Sequence, residues 1–437
     1  MKPRNPDLAD QLYGYIANEE DARACTDIPD SACREVPRNF FLILASNVLT
    51  KLGDLMINPK TVLAWLMSAI GAAPLVAWLV PIRESGSMIP QLVIGAWVRQ
   101  KPVRKWFWVL GSLGQAVSVA AMAASVWQLE GMAAGYALLA ALIAFSLSRG
   151  FCSVAMKDVQ GKCVPKSRRG RLSGLATALG GSLTVALTLL LFWDRPEASI
   201  VFYVFVLLAA AALWGLAALV FAGVDEYEGE TSGGGNAMKD AFANMSLLVR
   251  DKPFRKFVTT RSLLLCSALA SPYFVVLAQQ QGQTEWLLGG FMLASGLAGS
   301  LSATIWGWMA DTSSRGVMIR AASLASAICL ATGLWAVVSG DASKSSVWLY
   351  PAAFFVLSIA HAGVRLGRKT YLVDMAGGNK RTDYTSVSNT FIGLMLLVTG
   401  GLSALASLIS PGAVIVMLGS MGLVGAISAT RLKEVEG

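Results

Sequence analysis

Apolar runs of about twenty residues recur along the whole chain, separated by short segments that carry most of the charge. A helix of that length spans the hydrocarbon core of a bilayer. Only 14% of the 437 residues are charged, whereas a soluble protein carries about 25%. The runs at 183–192 and 200–220 do not alternate apolar with polar residues, as the strands of a membrane barrel would. The sequence therefore predicts an all-α membrane protein.

Twelve membrane-spanning helices are predicted, six before and six after a polar segment. They cover about residues 39–68, 73–98, 104–127, 133–164, 171–193, 199–223, 256–280, 285–310, 315–338, 346–376, 384–409 and 411–430. The polar segment, 224–255, contains a flexible Ser-Gly-Gly-Gly run. It separates an N-terminal bundle (39–223) from a C-terminal bundle (256–430), with tails at 1–38 and 431–437.

The two halves carry the same residue types at one fixed offset of 212 positions. The matched pairs are Gly95 and Gly307, Arg149 and His361, Lys157 and Lys369, Arg169 and Arg381, and Gly181 and Gly393. Internal repeats of apolar halves are typical of transporter folds. The offset therefore predicts two structurally related six-helix bundles.

The basic residues cluster in alternate loops, such as 99–105 and 166–171, whereas the loops between them hold few. This asymmetry predicts that both termini are cytoplasmic, in a bacterial inner membrane. It also explains the net charge of +9 without a nucleic-acid partner. The six cysteines show no disulfide framework; Cys25 and Cys33 fall in the predicted cytoplasmic tail, where thiols stay reduced. Nothing in the sequence requires an oligomer.

The loop after the eighth predicted span reads Gly307-Trp-Met-Ala-Asp311-Thr-Ser-Ser-Arg315. With the six-plus-six arrangement and the basic loops, it resembles the loop signature of the major facilitator superfamily. The matching segment of the first half keeps Gly95 but has Arg99 where the family has Asp. The resemblance implies two pseudo-symmetric six-helix bundles that rock about a central site. It also implies that the gating loops contain Gly95, Arg99, Gly307, Asp311 and Arg315.

Several ionisable residues are predicted to lie at the middle of the bilayer. At 1.5 Å per residue, Lys51 lies about 20 Å from the cytoplasmic end of its helix, Asp54 about 24 Å, and Glu84 and Arg149 about 22 Å. Charges at that depth pair with one another or face a wet cavity. The first alternative is that these four residues and Arg83 form ion pairs that hold the N-terminal half together; the adjacent Arg83 and Glu84 would point about 100° apart. The second is a site that binds solute or carries protons. In support of it, Arg149 resembles a mid-helix Arg of proton-coupled family members.

His361, the only histidine, is predicted at the same depth in the tenth span. It is either a hydrogen-bonded packing residue or a proton switch. Metal binding by Cys152, Met156 and His361 is a weak third alternative, since three soft groups on two helices make a poor site. The cavity would be basic if Arg365 joins it, and this favours an anionic solute.

The leading prediction is a secondary active transporter that moves a small solute, anionic and proton-coupled, by rocker-switch alternating access. The alternatives are a lipid or amphiphile translocator, a metal transporter, and a non-transporting sensor or assembly factor. The chain shows no nucleophile–base constellation, so we do not expect an enzyme, and no cofactor is predicted. An ATP-binding Gly-x-x-x-x-Gly-Lys-Ser/Thr loop is also missing from the sequence. The expected partners are the solute, the bilayer and protons.

Overall fold

A computed structural model describes residues 13, 34–192, 199–229, 231, 244–282, 285–310, 312–339, 348–376 and 380–435. Over these residues the chain forms helices joined by short turns, without β-strands. The α-helices are α1 (Val36–Met56), α2 (Val62–Ala69), α3 (Val76–Met88), α4 (Gln91–Arg99), α5 (Lys105–Gln128), α6 (Gly131–Cys163), α7 (Lys166–Phe192), α8 (Ile200–Ala222), α9 (Leu247–Arg250), α10 (Lys252–Leu263), α11 (Cys266–Leu269), α12 (Ser271–Gly282), α13 (Glu285–Ala310), α14 (Ser314–Ser339), α15 (Leu349–Met375), α16 (Lys380–Ser407) and α17 (Pro411–Thr430).

Nine helical segments within the described part of the chain are long and apolar enough to cross a membrane. Eight of them correspond to α5, α6, α7, α8, α14, α15, α16 and α17, and the ninth runs through α10, α11 and α12. A shorter apolar segment, Trp286–Ser302, lies in α13. The prediction of an all-α polytopic membrane protein is confirmed, and each of the long segments overlaps one predicted span to within a few residues at either end.

The first two predicted spans are interrupted helices. The first breaks at Pro59, between α1 and α2. There the Asn58 side chain accepts a hydrogen bond from the Lys60 amide at 2.9 Å. Gly71, with φ of 79°, forms the turn to the second span. That span begins with a 3₁₀ turn and is broken again before Pro90, which separates α3 from α4. Proline has no backbone N–H to donate to the helical hydrogen-bond ladder. A proline, Pro59 or Pro90, lies at each of these two breaks.

The tightest helix pairs within each half meet at small residues. A Cβ placed on Gly111 of α5 would lie 2.7 Å from the Ser148 carbonyl oxygen of α6. Likewise, a Cβ on Gly333 of α14 would lie 2.9 Å from the Val416 amide of α17. Glycine at such positions lets membrane helices approach closely. Between the halves, α3 packs on α16, α7 on α13, and α2 on α12.

We call the face that carries turns 100–104 and 164–165 the basic face, and the face that carries turns 70–72 and 408–410 the opposite face. The segment after α8 lies at the basic face, where Asp225 pairs with Arg38 at 2.9 Å. The segment after α17 lies there too, because its Glu434 pairs with Arg315 at 2.5 Å. The first and last membrane helices therefore begin and end on the same side.

Candidate functional site

Asp54 of α1 lies at the centre of a cluster of charged groups in the N-terminal half. Its Oδ1 atom accepts hydrogen bonds from Arg83 of α3 at 2.6 Å and from Arg149 of α6 at 2.7 Å. Arg149 also reaches Oδ2 at 2.9 Å. One carboxylate thus ties together three helices that are distant in sequence. Asp54 and Arg149, which the sequence placed at similar depths, are in direct contact.

The two arginines of this cluster differ in their access to water. The side chain of Arg83 is 8% exposed, and its guanidinium lies 4.6 Å from the centre of the Phe145 ring. The side chain of Arg149 is 36% exposed and that of Asp54 is 28% exposed. A solute can therefore reach Arg149 and the open side of Asp54, whereas Arg83 lies behind them.

Glu84 adjoins Arg83 in the sequence, and its charge acts on both Arg83 and Arg149. Its charge attracts Lys60, in the break between α1 and α2, and Arg368 of α15. Arg365 of α15 acts on both of those cations. Glu84 is half-buried and forms no ion pair within 4 Å among the described residues. The charge of Glu84 therefore acts on cations of both halves, without an ion pair to any of them among the described residues.

His361 and Arg261 bring polar groups of the C-terminal half toward this layer. The His361 Nδ1 atom lies 3.0 Å from the Ser267 hydroxyl, and the charges of Arg365 and Arg368 act on His361. Arg261 is buried and donates to the Ser388 hydroxyl at 2.6 Å and to Asn389 Oδ1 at 3.0 Å. Arg149 and His361, which the repeat pairs, thus both contact the first span of their own half.

The three weak metal candidates do not share contacts. The Cys152 thiol faces α5, where it accepts from Gln115 at 3.2 Å and donates to the Trp108 carbonyl at 3.3 Å. Met156 packs in the apolar cluster around these residues, whereas His361 bonds to Ser267. Over the described residues, no three His, Cys, Asp or Glu side chains come together as a metal site.

Lys51 of α1 projects toward α7 and does not pair with Asp54. Its ammonium donates to the Thr177 hydroxyl at 2.9 Å. A Cβ on Gly180 would meet the Lys51 side chain at 2.8 Å, so this glycine makes room for it. Lys51 is half-buried and places a further positive charge near the boundary between α1 and α7.

A polar cavity of about 560 Å³ opens at the basic face between the two halves. Its walls come from α4, α6 and α16: Gln91, Gly95, Arg99, Ser153, Val154, Lys157, Asp158, Thr385, Ser386 and Asn389. Ser153 of the wall follows Arg149 by one helical turn on α6, so Arg149 lies about 6 Å farther from the basic face than Ser153. Asn389, the partner of Arg261, is in its wall on the other side. The cavity thus leads from the basic face toward the charged layer.

Side chains and backbone pack tightly between the halves toward the opposite face. A Cβ on Gly400 of α16 would lie 2.5 Å from Pro81 Cγ of α3, and one on Gly393 would lie 2.8 Å from Ile89. Gln279 of α12 donates to the Trp65 carbonyl of α2 at 3.3 Å. Over the described residues, the halves are therefore separated by a cavity at the basic face and in contact toward the opposite face.

The predicted gating residues lie at the open end. A Cβ on Gly95 would meet only the Arg99 guanidinium, at 4.0 Å, and one on Gly307 would meet no described atom within 4 Å. Arg99 donates to the Gly95 carbonyl at 3.1 Å. Arg315 binds the Leu432 carbonyl at 2.8 Å as well as Glu434, both at the end of the chain. Asp311 lies outside the described residues.

Comparison with known proteins identifies the family. The family model described as Major Facilitator Superfamily matches residues 43–400, most of the chain. The chain belongs to this superfamily. Its predicted fold class is thereby confirmed, and the helices described above occupy the positions of a fold shared by transporters. No curated protein matches the sequence.

Solved structures of several transporters share the fold at low sequence identity. A POT family transporter in complex with 5-aminolevulinic acid has a TM-score of 0.70 and 11% identity, over 89% of this chain and 95% of that one. The inward open xylose transporter XylE from E. coli has a TM-score of 0.66 and 12% identity, over 92% and 97%. A mutant of the nucleoside transporter NupG has a TM-score of 0.67 and 13% identity, over 90% and 99%. At these identities the likeness concerns the fold alone.

Lys60, on which the charge of Glu84 acts, was not among the sequence candidates. Lys60 lies 22 residues after Arg38, which at 1.5 Å per residue corresponds to about 33 Å and the far side of the bilayer. The break at Pro59 invalidates that count. Arg83 was the neighbour of a candidate, and its direction toward Asp54 depends on where α3 begins. The polar run Asn58-Pro59-Lys60 within an apolar span was the available signal.

Proposed function

We propose that this protein is a secondary active transporter for a small anionic solute, which binds in the charged layer between the two halves. The observation that carries the proposal is that the charge of Glu84 acts on both Lys60 and Arg368, which belong to opposite halves. A site made by both halves senses their relative position, and alternating access requires this. The halves that move are taken to be 39–223 and 256–430.

The balance of charge in the layer favours an anion. The positive groups are Lys51, Lys60, Arg83, Arg149, Arg365 and Arg368, and the negative groups are Asp54 and Glu84. Asp54 is already occupied by two guanidiniums, which leaves the cations around Glu84 without a contacting carboxylate. Buried charges of one sign are costly in a membrane unless a counter-charge joins them. A carboxylate or phosphate of the solute supplies that counter-charge.

The geometry supports transport by alternating access. The cavity at the basic face ends one helical turn from Arg149, at Ser153, while contacts such as Gly400 with Pro81 hold the halves together toward the other side. The XylE structure that shares this fold is described as inward open. By the distribution of basic loops, the basic face is the cytoplasmic face of a bacterial inner membrane, with both termini in the cytoplasm.

Glu84 is the better candidate for the proton-carrying group. Protonating Asp54 would remove the charge that Arg83 and Arg149 both contact. Glu84 has no such contact, so its protonation breaks no ion pair among the described residues. An approaching anion competes with Glu84 for Lys60 and Arg368, and a proton on Glu84 removes that competition. Proton uptake and anion binding are thereby coupled.

A thermal-stability screen tests the proposal directly. Purified protein is heated with equal concentrations of carboxylates and phosphate esters, of neutral sugars and nucleosides, and of amines. Stabilisation is expected only among the anions, and it should disappear in Arg365→Gln but persist in Lys252→Gln, which removes an exposed charge outside the cavity. Stabilisation by neutral or cationic compounds alone, or an anion effect unchanged in Arg365→Gln, contradicts the proposal.

A further inference from the structure

A second cleft, unconnected with the charged layer, faces outward from the N-terminal half at the basic face. It has a volume of about 480 Å³ and lies between the end of α4, the start of α5, and α6. We call it the aromatic cleft; its lining is Trp97, Lys101, Pro102, Val103, Trp106, Phe107, Leu110, Gly111, Ser148 and Phe151. Gly111 brings α5 against α6 at the inner end, whereas the mouth stays open.

The walls of the aromatic cleft are rings that are partly accessible. The Trp97 ring centre lies 5.4 Å from that of Phe107 and 5.8 Å from that of Phe151, and the two phenylalanine rings are nearly parallel. Trp97 and Trp106 are each 51% exposed. Both tryptophans lie near helix ends, at the depth where membrane proteins concentrate them. The cleft therefore offers an apolar surface at the boundary between lipid and water.

The mouth of the cleft carries the Lys101 ammonium, which makes no direct ion pair in the described chain. Lys101 is exposed and forms no ion pair within 4 Å with a described carboxylate. Two nearby acids are engaged elsewhere, because Asp158 pairs with Arg104 and Glu226 pairs with Lys162. Exposed Glu228 precedes Gly229, whose amide donates to the Pro102 carbonyl at 3.1 Å, and it makes no ion pair with Lys101 among the described residues. Lys105 lies 5.1 Å from the Trp106 ring centre. A ligand of this cleft thus meets apolar rings inside and an unpaired ammonium outside.

A larger apolar hollow elsewhere on the membrane surface provides a contrast. It measures about 760 Å³ between α7, α13 and α15, and it also contains two tryptophans, Trp286 and Trp348. None of its lining residues is charged. Its lining can accommodate a lipid chain without any preference for the headgroup, whereas the aromatic cleft combines the same apolar character with Lys101.

We propose that the aromatic cleft binds an anionic phospholipid of the leaflet at the basic face. An acyl chain lies against Trp97, Phe107 and Phe151, and the headgroup phosphate pairs with Lys101. A lysine near an anionic membrane surface strengthens binding by about fivefold. The selectivity for anionic over zwitterionic lipid comes from Lys101, while the aromatic walls supply affinity that does not depend on the headgroup.

Quenching by brominated lipids tests this assignment. The full-length protein is reconstituted in phosphatidylcholine vesicles that contain either dibrominated phosphatidylglycerol or dibrominated phosphatidylcholine at the same low fraction. The contribution of the cleft is the difference between the parent protein and Trp97→Phe/Trp106→Phe. The contribution of the larger hollow is measured in the same way with Trp286→Phe/Trp348→Phe.

The cleft tryptophans are expected to prefer the brominated phosphatidylglycerol by about fivefold, whereas the hollow shows no preference. Lys101→Gln should abolish that preference, and Lys252→Gln, with the same change in net charge, should leave it intact. Melting curves of the variants confirm that each is folded. Equal quenching of the cleft by the two lipids, or a preference that survives Lys101→Gln, overturns the proposal.

Discussion

At the scale of single residues, the Asp54 cluster and Glu84 have different roles despite their proximity. Asp54 holds two arginines in place, and one of them, Arg83, is buried beneath it. Glu84 is half-buried and makes no direct ion pair among the described residues. We interpret the first carboxylate as structural and the second as functional. The sequence left open whether these carboxylates form structural ion pairs or a solute- or proton-binding site. We assign the first role to Asp54 and the second to Glu84.

Replacement of Asp54 by Asn is expected to destabilise the protein. Arg83 would remain buried without a counter-charge, which costs about 3 kcal/mol. Thermal unfolding in detergent measures the loss. The double variant Asp54→Asn/Arg83→Gln should be more stable than the single variant, because it removes the stranded cation. If Asp54→Asn melts like the parent protein, the structural role of this carboxylate is wrong.

Replacement of Glu84 by Gln is expected to abolish transport that is driven by a proton gradient. Exchange of solute across the membrane at equal pH should continue, since the variant keeps its cations and needs no proton. The measurement compares gradient-driven uptake with counterflow in liposomes, using an anion found in the stability screen. Gradient-driven uptake that persists in Glu84→Gln excludes Glu84 as the coupling group. Loss of both activities together contradicts its separation from solute exchange.

The sequence predicted the depth of Asp54 and Arg149 because helical rise is constant along unbroken segments. It did not predict that Lys51 bonds to Thr177, since that contact depends on how α1 packs against α7. Arg83 and Glu84 were expected to point about 100° apart, and they do meet different partners. Which one faces Asp54 is set by the rotation of α3, and sequence periodicity alone does not fix that rotation.

At the scale of helices, Glu226 joins three segments at the basic face. Its fully buried carboxylate accepts from the amides of Arg104 and Lys105 at 2.8 and 2.6 Å and pairs with Lys162 at 2.8 Å. These amides begin α5, where the helix dipole favours a negative charge. Glu226, in the segment after α8, thus fixes the start of α5 and the end of α6. The sequence showed only an acidic linker here, because the contact crosses more than a hundred residues.

Replacement of Glu226 by Ala is therefore expected to lower the free energy of unfolding by about 3 kcal/mol, since two helix amides and one lysine lose a buried charged partner. Glu228→Ala removes the same charge from an exposed position two residues away and serves as the control. Thermal melts of the two variants provide the comparison. Equal melting temperatures would show that Glu226 contributes no more than a surface carboxylate.

At the scale of the whole molecule, the repeat in the sequence has a structural counterpart. Gly393 packs on Ile89 where α16 meets α3, and Gly181, its repeat mate, lies on α7, where a Cβ would meet Ser300 of α13 at 3.9 Å. Both glycines thus lie where one half contacts the other. Gly95 and Gly307, also paired by the repeat, both lie at the open end. The repeat could predict that the halves place related glycines at equivalent positions. It could not predict which of these pairs lies at a closed contact between the halves and which lies at the open end.

The closed side depends on how tightly α3 and α16 approach at Gly400. A Cβ there would lie 2.5 Å from Pro81, so Gly400→Val is expected to force these helices apart. The population should then shift from the state that is open at the basic face toward one that is open at the opposite face. Transport should be lost even though no residue of the charged layer has changed.

Thiol labelling from the opposite face measures this shift. The reporter is Ala77→Cys in a background without other cysteines; Ala77 is 4% exposed and its carbonyl lies 3.5 Å from the added Cβ. A membrane-impermeant maleimide should label it several-fold faster with Gly400→Val than without. Gly299→Val is the matched control, because a Cβ there meets no described atom. Equal labelling rates in the three proteins would mean that this contact does not control access to the opposite face.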